Sequence, residues 1–221
     1  MQDLIRQERF ELEVLDRLNS KKILTNLVFG GGSMLRLCFG LNRFSVDLDF
    51  WIIKKIDINL LFKNIHECLA EFYAIKDATN KFYSLVFEIR SPNYPRSLKM
   101  EIRKETKKVT FEQAIAYSKH SSIQVLLNVV SLKEMMGSKI EAFLERKEIR
   151  DVFDIEFLFK KGIILDMPSG KLKRVLDEMD SLTKRDYTIK LGSLLDEGER
   201  KYYITENFKL LRLAIAEKIK R

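Results

Sequence analysis

The chain has 221 residues, 46% apolar and 33% charged, which excludes a disordered chain and allows one large domain or two small ones. Forty Lys and Arg against 32 Asp and Glu leave a net charge of +8, which favours a polyanionic partner without naming one. Two cysteines, Cys38 and Cys68, give neither a disulfide framework nor a metal-ligand spacing. The opening residues Met1 to Arg9 are charged where a signal peptide would be apolar. No run approaches the ~18 apolar residues of a membrane span, so a cytoplasmic protein with no membrane partner is expected.

In chain order, apolar positions at Leu4, Ile5, Phe10, Leu12, Val14, Leu15 and Leu18 predict an amphipathic helix over residues 3–19. Leu27-Val28-Phe29 is a short apolar run broken by Gly30-Gly31-Gly32, after which Ser33 is expected to cap a helix to about Leu41. Val46, Leu48 and Phe50 alternate with Asp47, Asp49 and Trp51, the period of a strand with one polar face. Residues 57–73 read as helix. Lys81–Ile89 and Ser97–Arg103 read as strands parted by the turn signal Ser91-Pro92-Asn93-Tyr94-Pro95, and Ile123–Val130 as a further strand.

From Ser131 the pattern is helical, with helices expected at 131–147, 150–160, 169–180, 185–196 and 205–220. The fold class is therefore α+β. A mixed sheet with flanking helices over residues 1–130 is followed by a helical region over 131–221, which is expected to complete the active site.

Two motifs carry chemistry. Glycines between a strand and a helix let backbone approach a ligand, and a helix start offers unpaired N–H groups to a phosphate. Gly31, Gly32 and Ser33 stand at that place. Fourteen residues after Ser33, Asp47 and Asp49 lie two apart on a strand, so both carboxylates project from one face. They are hard oxygen ligands suited to magnesium, which keeps waters and substrate phosphates in its shell. Either motif alone also suits a plain turn or an exposed strand face. In this order and separation they predict a clamp for a triphosphate and its metal.

A third carboxylate would let the site hold a second metal and activate an attacking hydroxyl. Glu101 alternates with Leu98, Met100 and Ile102 and is the candidate, with Glu88 as its rival. From Arg90 to Lys108 there are seven basic residues against Glu101 and Glu105. Arg103, Lys104, Lys107 and Lys108 in this run are either a solvated edge or a nucleic-acid track. Further on, Lys139 and Arg146 are seven apart on one helix face. Asp151 and Asp154 share the next helix, where Arg150 can pair with Asp154 at i,i+4. Such cations suit triphosphate charge, although an ion-paired helix surface would look the same. Neither His66 nor His120 fits a catalytic role.

The run Phe29-Gly30-Gly31-Gly32-Ser33-Met34-Leu35-Arg36, continued by Gly40, Arg43, Ser45 and Asp47-Leu48-Asp49-Phe50, resembles the signature of the AbiEii/AbiGii toxin family. That family is a branch of the DNA polymerase β-like nucleotidyltransferase superfamily. Lys139, Arg146, Arg150, Asp151 and Asp154 resemble its second block, so the likeness covers about 28–51 and 132–158. It implies transfer of a nucleoside monophosphate from a triphosphate to an acceptor hydroxyl. The acceptor would be RNA, at a tRNA 3′ end, and the chain would act as a toxin with a cognate antitoxin. It implies magnesium (manganese as the alternative) on Asp47 and Asp49, β/γ-phosphates held by Gly32 and Ser33, Arg36 or Lys139 neutralising charge, and Asp154 positioning Lys139. The alternatives are a transferase for a small molecule such as an antibiotic, and a non-catalytic nucleotide- or nucleic-acid-binding protein.

Overall fold

Strand β1 (Leu27–Gly30) is buried along its whole length, as a strand with sheet on both sides must be. Antiparallel to it runs β2 (Asp47–Ile52), which faces Leu48, Phe50 and Ile52 to the core and leaves Asp47 and Asp49 partly exposed. The computed structural model describes residues 1–106 and 108–220. Lys107, one of the four residues expected on a nucleic-acid track, lies outside the described residues. The chain divides into two compact units, Met1–Ser131 and Leu132–Arg221.

In the first unit a seven-stranded mixed sheet has the order β3-β4-β5-β2-β1-β7-β6. Its other strands are β3 (Ala74–Asn80), β4 (Ser84–Arg90), β5 (Leu98–Thr106), β6 (Phe111–Tyr117) and β7 (Gln124–Val130). β2 pairs in parallel with β5, and β1 in parallel with β7. The remaining neighbours are antiparallel. Helix α1 (Gln2–Ser20) packs on β7 and β5, and α3 (Ile58–Ala70) on β3 and β4. Asp57 caps α3 by accepting bonds from the Asn59 and Leu60 amides, which satisfies donors the helix start would leave open.

Helix α2 (Gly31–Phe39) begins two residues before the expected cap, with Gly30 at its N-cap. The Ser33 hydroxyl donates instead to the Asp47 carbonyl at 2.6 Å. β3 and β6 are strands that alternation did not show. Both are sheet edges, and β3 buries so little that its sequence carries almost no period. Residues 81–83, expected as strand, form the β3–β4 hairpin tip.

The second unit contains α4 (Leu132–Arg146), α5 (Ile149–Lys160), α6 (Ser169–Asp180), α7 (Glu197–Glu206) and α8 (Lys209–Lys220). The helix expected over 185–196 is replaced by a π-type turn at Asp186–Leu191 and a 3₁₀ turn at Gly192–Leu194. Gly192 allows this, since a Cβ there would sit 3.0 Å from the Tyr187 carbonyl. The helix expected over 205–220 is broken where Asn207 and Phe208 take φ of 48° and 54°. Asn tolerates that left-handed conformation, and full burial of Phe208 offsets its cost. No helix among the described residues is long and apolar enough to cross a membrane.

One buried charge stands out in α1. Glu8 is paired with Arg36 and accepts from Ser118, whereas Glu11 is fully buried and neither of its carboxylate oxygens has a hydrogen-bond partner among the described residues. Burial pushes its pKa well up, the charges of Glu8 and Asp47 add to the rise, and Arg36 opposes it. A carboxyl raised in the folded state gives stability below its unfolded pKa of ~4.3, and that stability is lost as pH rises through the folded value. Glu11→Gln should remove this pH-dependent loss. Urea midpoints that fall with pH as steeply in the variant as in the parent would show that Glu11 does not titrate on unfolding.

Candidate active site

The approach that glycine permits at the β1–α2 junction is to the protein's own side chains. Gly30 is opposite Asp49 in the β1–β2 register. Gly31 has φ 75°, and a Cβ on it would collide with Asp49 Oδ2. A Cβ on Gly32 would meet Arg43 Nη2 at 2.6 Å and Ser45 Oγ at 2.8 Å. The glycine run therefore presses the start of α2 against Asp49 on one side and Arg43 on the other. Arg43, part of the signature but given no role from it, is only 2% exposed and donates to the Phe44 carbonyl. The Ser33 bond to Asp47 fastens the same junction to β2. First-turn amides of α2 lack intrahelical partners by geometry and can receive an anion.

On the other side of β2, the parallel register sets Asp49 opposite Glu101 and Asp47 opposite Lys99. Opposed residues project to the same face, so Asp47, Asp49, Lys99 and Glu101 share it. Lys99 Nζ lies 3.2 Å from Glu101 Oε2. Burial works to lower the Lys99 pKa, but the Glu101 hydrogen bond and the charges of Glu101, Asp47 and Asp49 outweigh it and hold the ammonium above its ordinary value. Lys99 is thus a cation among the carboxylates. Its signal in the sequence was its place two residues before Glu101 on the same strand face.

Among the described residues no three His, Cys, Asp or Glu side chains converge to hold a metal. Glu101, expected as a third carboxylate, is beside the aspartates but committed to Lys99. Its rival Glu88 is one strand further away, opposite Lys99. There a hydrogen bond from Ser97, then one from Lys76, lowers its pKa. Asp47 and Asp49, with Gly31 closed against one of them, fit a divalent ion whose shell is completed by water and phosphate. Arg36, expected at a phosphate, has its guanidinium on Glu8 and the Leu41 carbonyl, 3.8 Å over the Phe44 ring. The thiol of Cys38 is pushed up to about 12 by burial, which disfavours the thiolate.

In the second unit, Lys139 Nζ lies 2.6 Å from Asp154 Oδ2 and 3.4 Å from Asp151 Oδ1. Arg146 grips Asp151 with two bonds, of 2.7 and 2.6 Å. Both aspartate side chains are fully buried and Lys139 is 8% exposed, so two cations balance two carboxylates between α4 and α5. Asp154 is held by Lys139, and Nε of Arg150, the residue expected at i,i+4 from it, is buried without a partner among the described residues.

The model of the nucleotidyl transferase AbiEii toxin of type IV toxin–antitoxin systems matches residues 13–217. The chain belongs to that family. No curated protein matches it in sequence. Among solved structures it is similar to JHP933 from Helicobacter pylori, at 21% identity and TM-score 0.61 over 99% of this chain and 95% of that one. It is also similar to an H. pylori protein provisionally assigned as a nucleotidyltransferase, at 21% identity and TM-score 0.60 over 98% and 97%. At that identity the likeness concerns the fold, which is the nucleotidyltransferase α+β sheet with its helices.

Two outcomes test the geometry. Gly31→Ala should cost about 1–3 kcal/mol, from left-handed backbone and the collision with Asp49. The cost should shrink in an Asp49→Ala background, because the collision with Oδ2 is then gone and only the Cβ at position 49, 3.1 Å away, remains close. Equal costs in both backgrounds would mean that Gly31 does not bear on Asp49. Lys139→Ala strips a cation from two buried carboxylates and should cost roughly 3–5 kcal/mol in urea unfolding. An unmoved midpoint would count against the network as a structural element.

Proposed function

We propose that this member of the family transfers a nucleoside monophosphate from a nucleoside triphosphate to a hydroxyl of an RNA acceptor, at a tRNA 3′ end, in the manner of a growth-arresting toxin restrained by a cognate antitoxin. The observation that carries the reading is the register of β2, which aligns Asp47 and Asp49 with Lys99 and Glu101 on one face and closes Gly31 against Asp49. Asp47 and Asp49 hold magnesium, or manganese in its place. The ion supplies charge neutralisation and polarisation of the phosphates. Amides of Gly31, Gly32 and Ser33 receive the β/γ-phosphates at the start of α2.

The acceptor oxygen bonds to the α-phosphorus, the bond from that phosphorus to the bridging oxygen of the β-phosphate breaks, and pyrophosphate leaves. Glu101 accepts the hydroxyl proton while Lys99 holds it in place. In the second unit, Lys139, held by Asp154, and Arg146 beside it are cations of the kind that binds triphosphate charge. Basic residues Arg103, Lys104, Lys107 and Lys108 form the track for RNA phosphates. A cytoplasmic setting suits this substrate.

Incubation of the protein with total RNA, magnesium and each α-labelled nucleoside triphosphate in turn should place label in RNA. Asp49→Asn should abolish labelling with the melting temperature nearly unchanged, since the residue is on a partly exposed face. Normal labelling by Asp49→Asn would remove the residue from the mechanism. Label recovered only in small molecules would instead favour an antibiotic-type transferase.

A further inference from the structure

The most exposed large apolar side chains in the first unit are adjacent. Phe82 is 83% exposed and Tyr83 is 80% exposed, at the tip of the β3–β4 hairpin. Their rings meet edge to face with centroids 4.6 Å apart. Aromatic side chains left in water on a two-stranded tip lose the burial that normally favours them, and nothing in the local backbone requires them. Lys81 is bonded by its amide to the Ser84 carbonyl, which closes the tip without help from either ring.

The surroundings of the pair are cationic. Arg103 is opposite Ser84 in the β4–β5 register, and the Lys104 amide donates to the Tyr83 carbonyl at 3.0 Å. Lys104 Nζ donates to the Lys81 carbonyl, so its charge is carried onto the tip and braces it. Lys81 and Arg103 are exposed and make no ion pair among the described residues. Arg103 also projects to the face of Asp49 and Glu101, four residues after Lys99 on β5 and opposite Trp51 on β2. From Asp49 the register leads across Glu101 to Val86, two strand spacings or roughly 10 Å, and the tip lies three to four residues further along β4, roughly another 10–13 Å.

An aromatic pair ringed by cations has the chemistry of a site for unpaired bases, where rings stack on bases and ammonium or guanidinium groups meet phosphates. A protein partner would not require that charge, whereas duplex would present phosphates but no open base. We propose that Phe82 and Tyr83 form a stacking platform for a single-stranded RNA segment whose phosphates run over Lys81, Arg103 and Lys104 toward Asp49. The inference rests on the reading of RNA as the acceptor and adds to it that the acceptor is held by unpaired bases.

The test compares fluorescently labelled single-stranded RNA of about twelve nucleotides with a blunt RNA duplex of equal length, by anisotropy across a salt series. The double variant Phe82→Ala/Tyr83→Ala should bind the single strand tenfold or more weakly, the loss of roughly one stacked base. Its slope of affinity against salt should stay that of the parent. The double variant Lys81→Ala/Arg103→Ala should flatten that slope, since fewer counterions are released. Duplex binding should respond to the second variant and hardly to the first. Melting temperature and nucleoside triphosphate binding, measured on the same samples, check that the aromatic variant is folded. Single-strand binding equal to the parent's, no RNA binding by the parent, or loss confined to association with a protein partner would each overturn the platform. A parent that binds no nucleoside triphosphate would overturn the transferase reading, while the anisotropy arm would still decide the platform.

Discussion

Asp49 is constrained from two sides, and the rest of the first unit is arranged around that constraint. Gly31 closes on its carboxylate from the α2 side, and Glu101 stands opposite it across the β2–β5 pairing. Each contact depends on a different long-range pairing, antiparallel to β1 and parallel to β5. A slip of β2 by one residue would turn both aspartates into the core. Leu48, Phe50 and Ile52, each at 1% exposure or less, prevent it, so the apolar face of β2 fixes where the acidic face points.

The charges that do not face solvent follow one rule: pair, or give up the charge. Arg36 is held by Glu8, Lys139 by Asp151 and Asp154, the buried Asp151 also by the exposed Arg146, and Glu156 accepts from Lys160 and Tyr203. Glu11 follows the other branch, with a raised pKa that favours its neutral form. Such pairs add little net stability against apolar replacements, yet losing one partner is costly. They therefore lock geometry more than they strengthen the fold. In the second unit this locks α4 to α5 across the left-handed turn at Lys147 (φ 55°).

The candidate site was legible in unequal parts. The strand bearing Asp47 and Asp49 showed itself by alternation, and Glu101 by its place among Leu98, Met100 and Ile102. Lys99 was visible as a basic residue two before Glu101 on the same strand face, with nothing to mark it as a neighbour of the aspartates. Its place opposite Asp47 depends on which strand neighbours β2, and that neighbour lies about fifty positions away in the chain. Edge strands β3 and β6 escaped because an edge need not bury a full face, so selection for alternation is weak there.

By itself the sequence determined what local chemistry can write. It specified a glycine run between a strand and a helix, two carboxylates on one strand face, a helical second half, and residues of a known toxin family in two blocks. Tertiary structure decided what each group meets. Gly31 meets Asp49, Ser33 meets the Asp47 carbonyl, Arg36 meets Glu8, and Asp151 meets both Lys139 and Arg146. The physical reason is that periodicity fixes only the direction in which a side chain leaves its own element. Its partner is set by strand order, register and helix packing, which are long-range outcomes of burying the whole core at once.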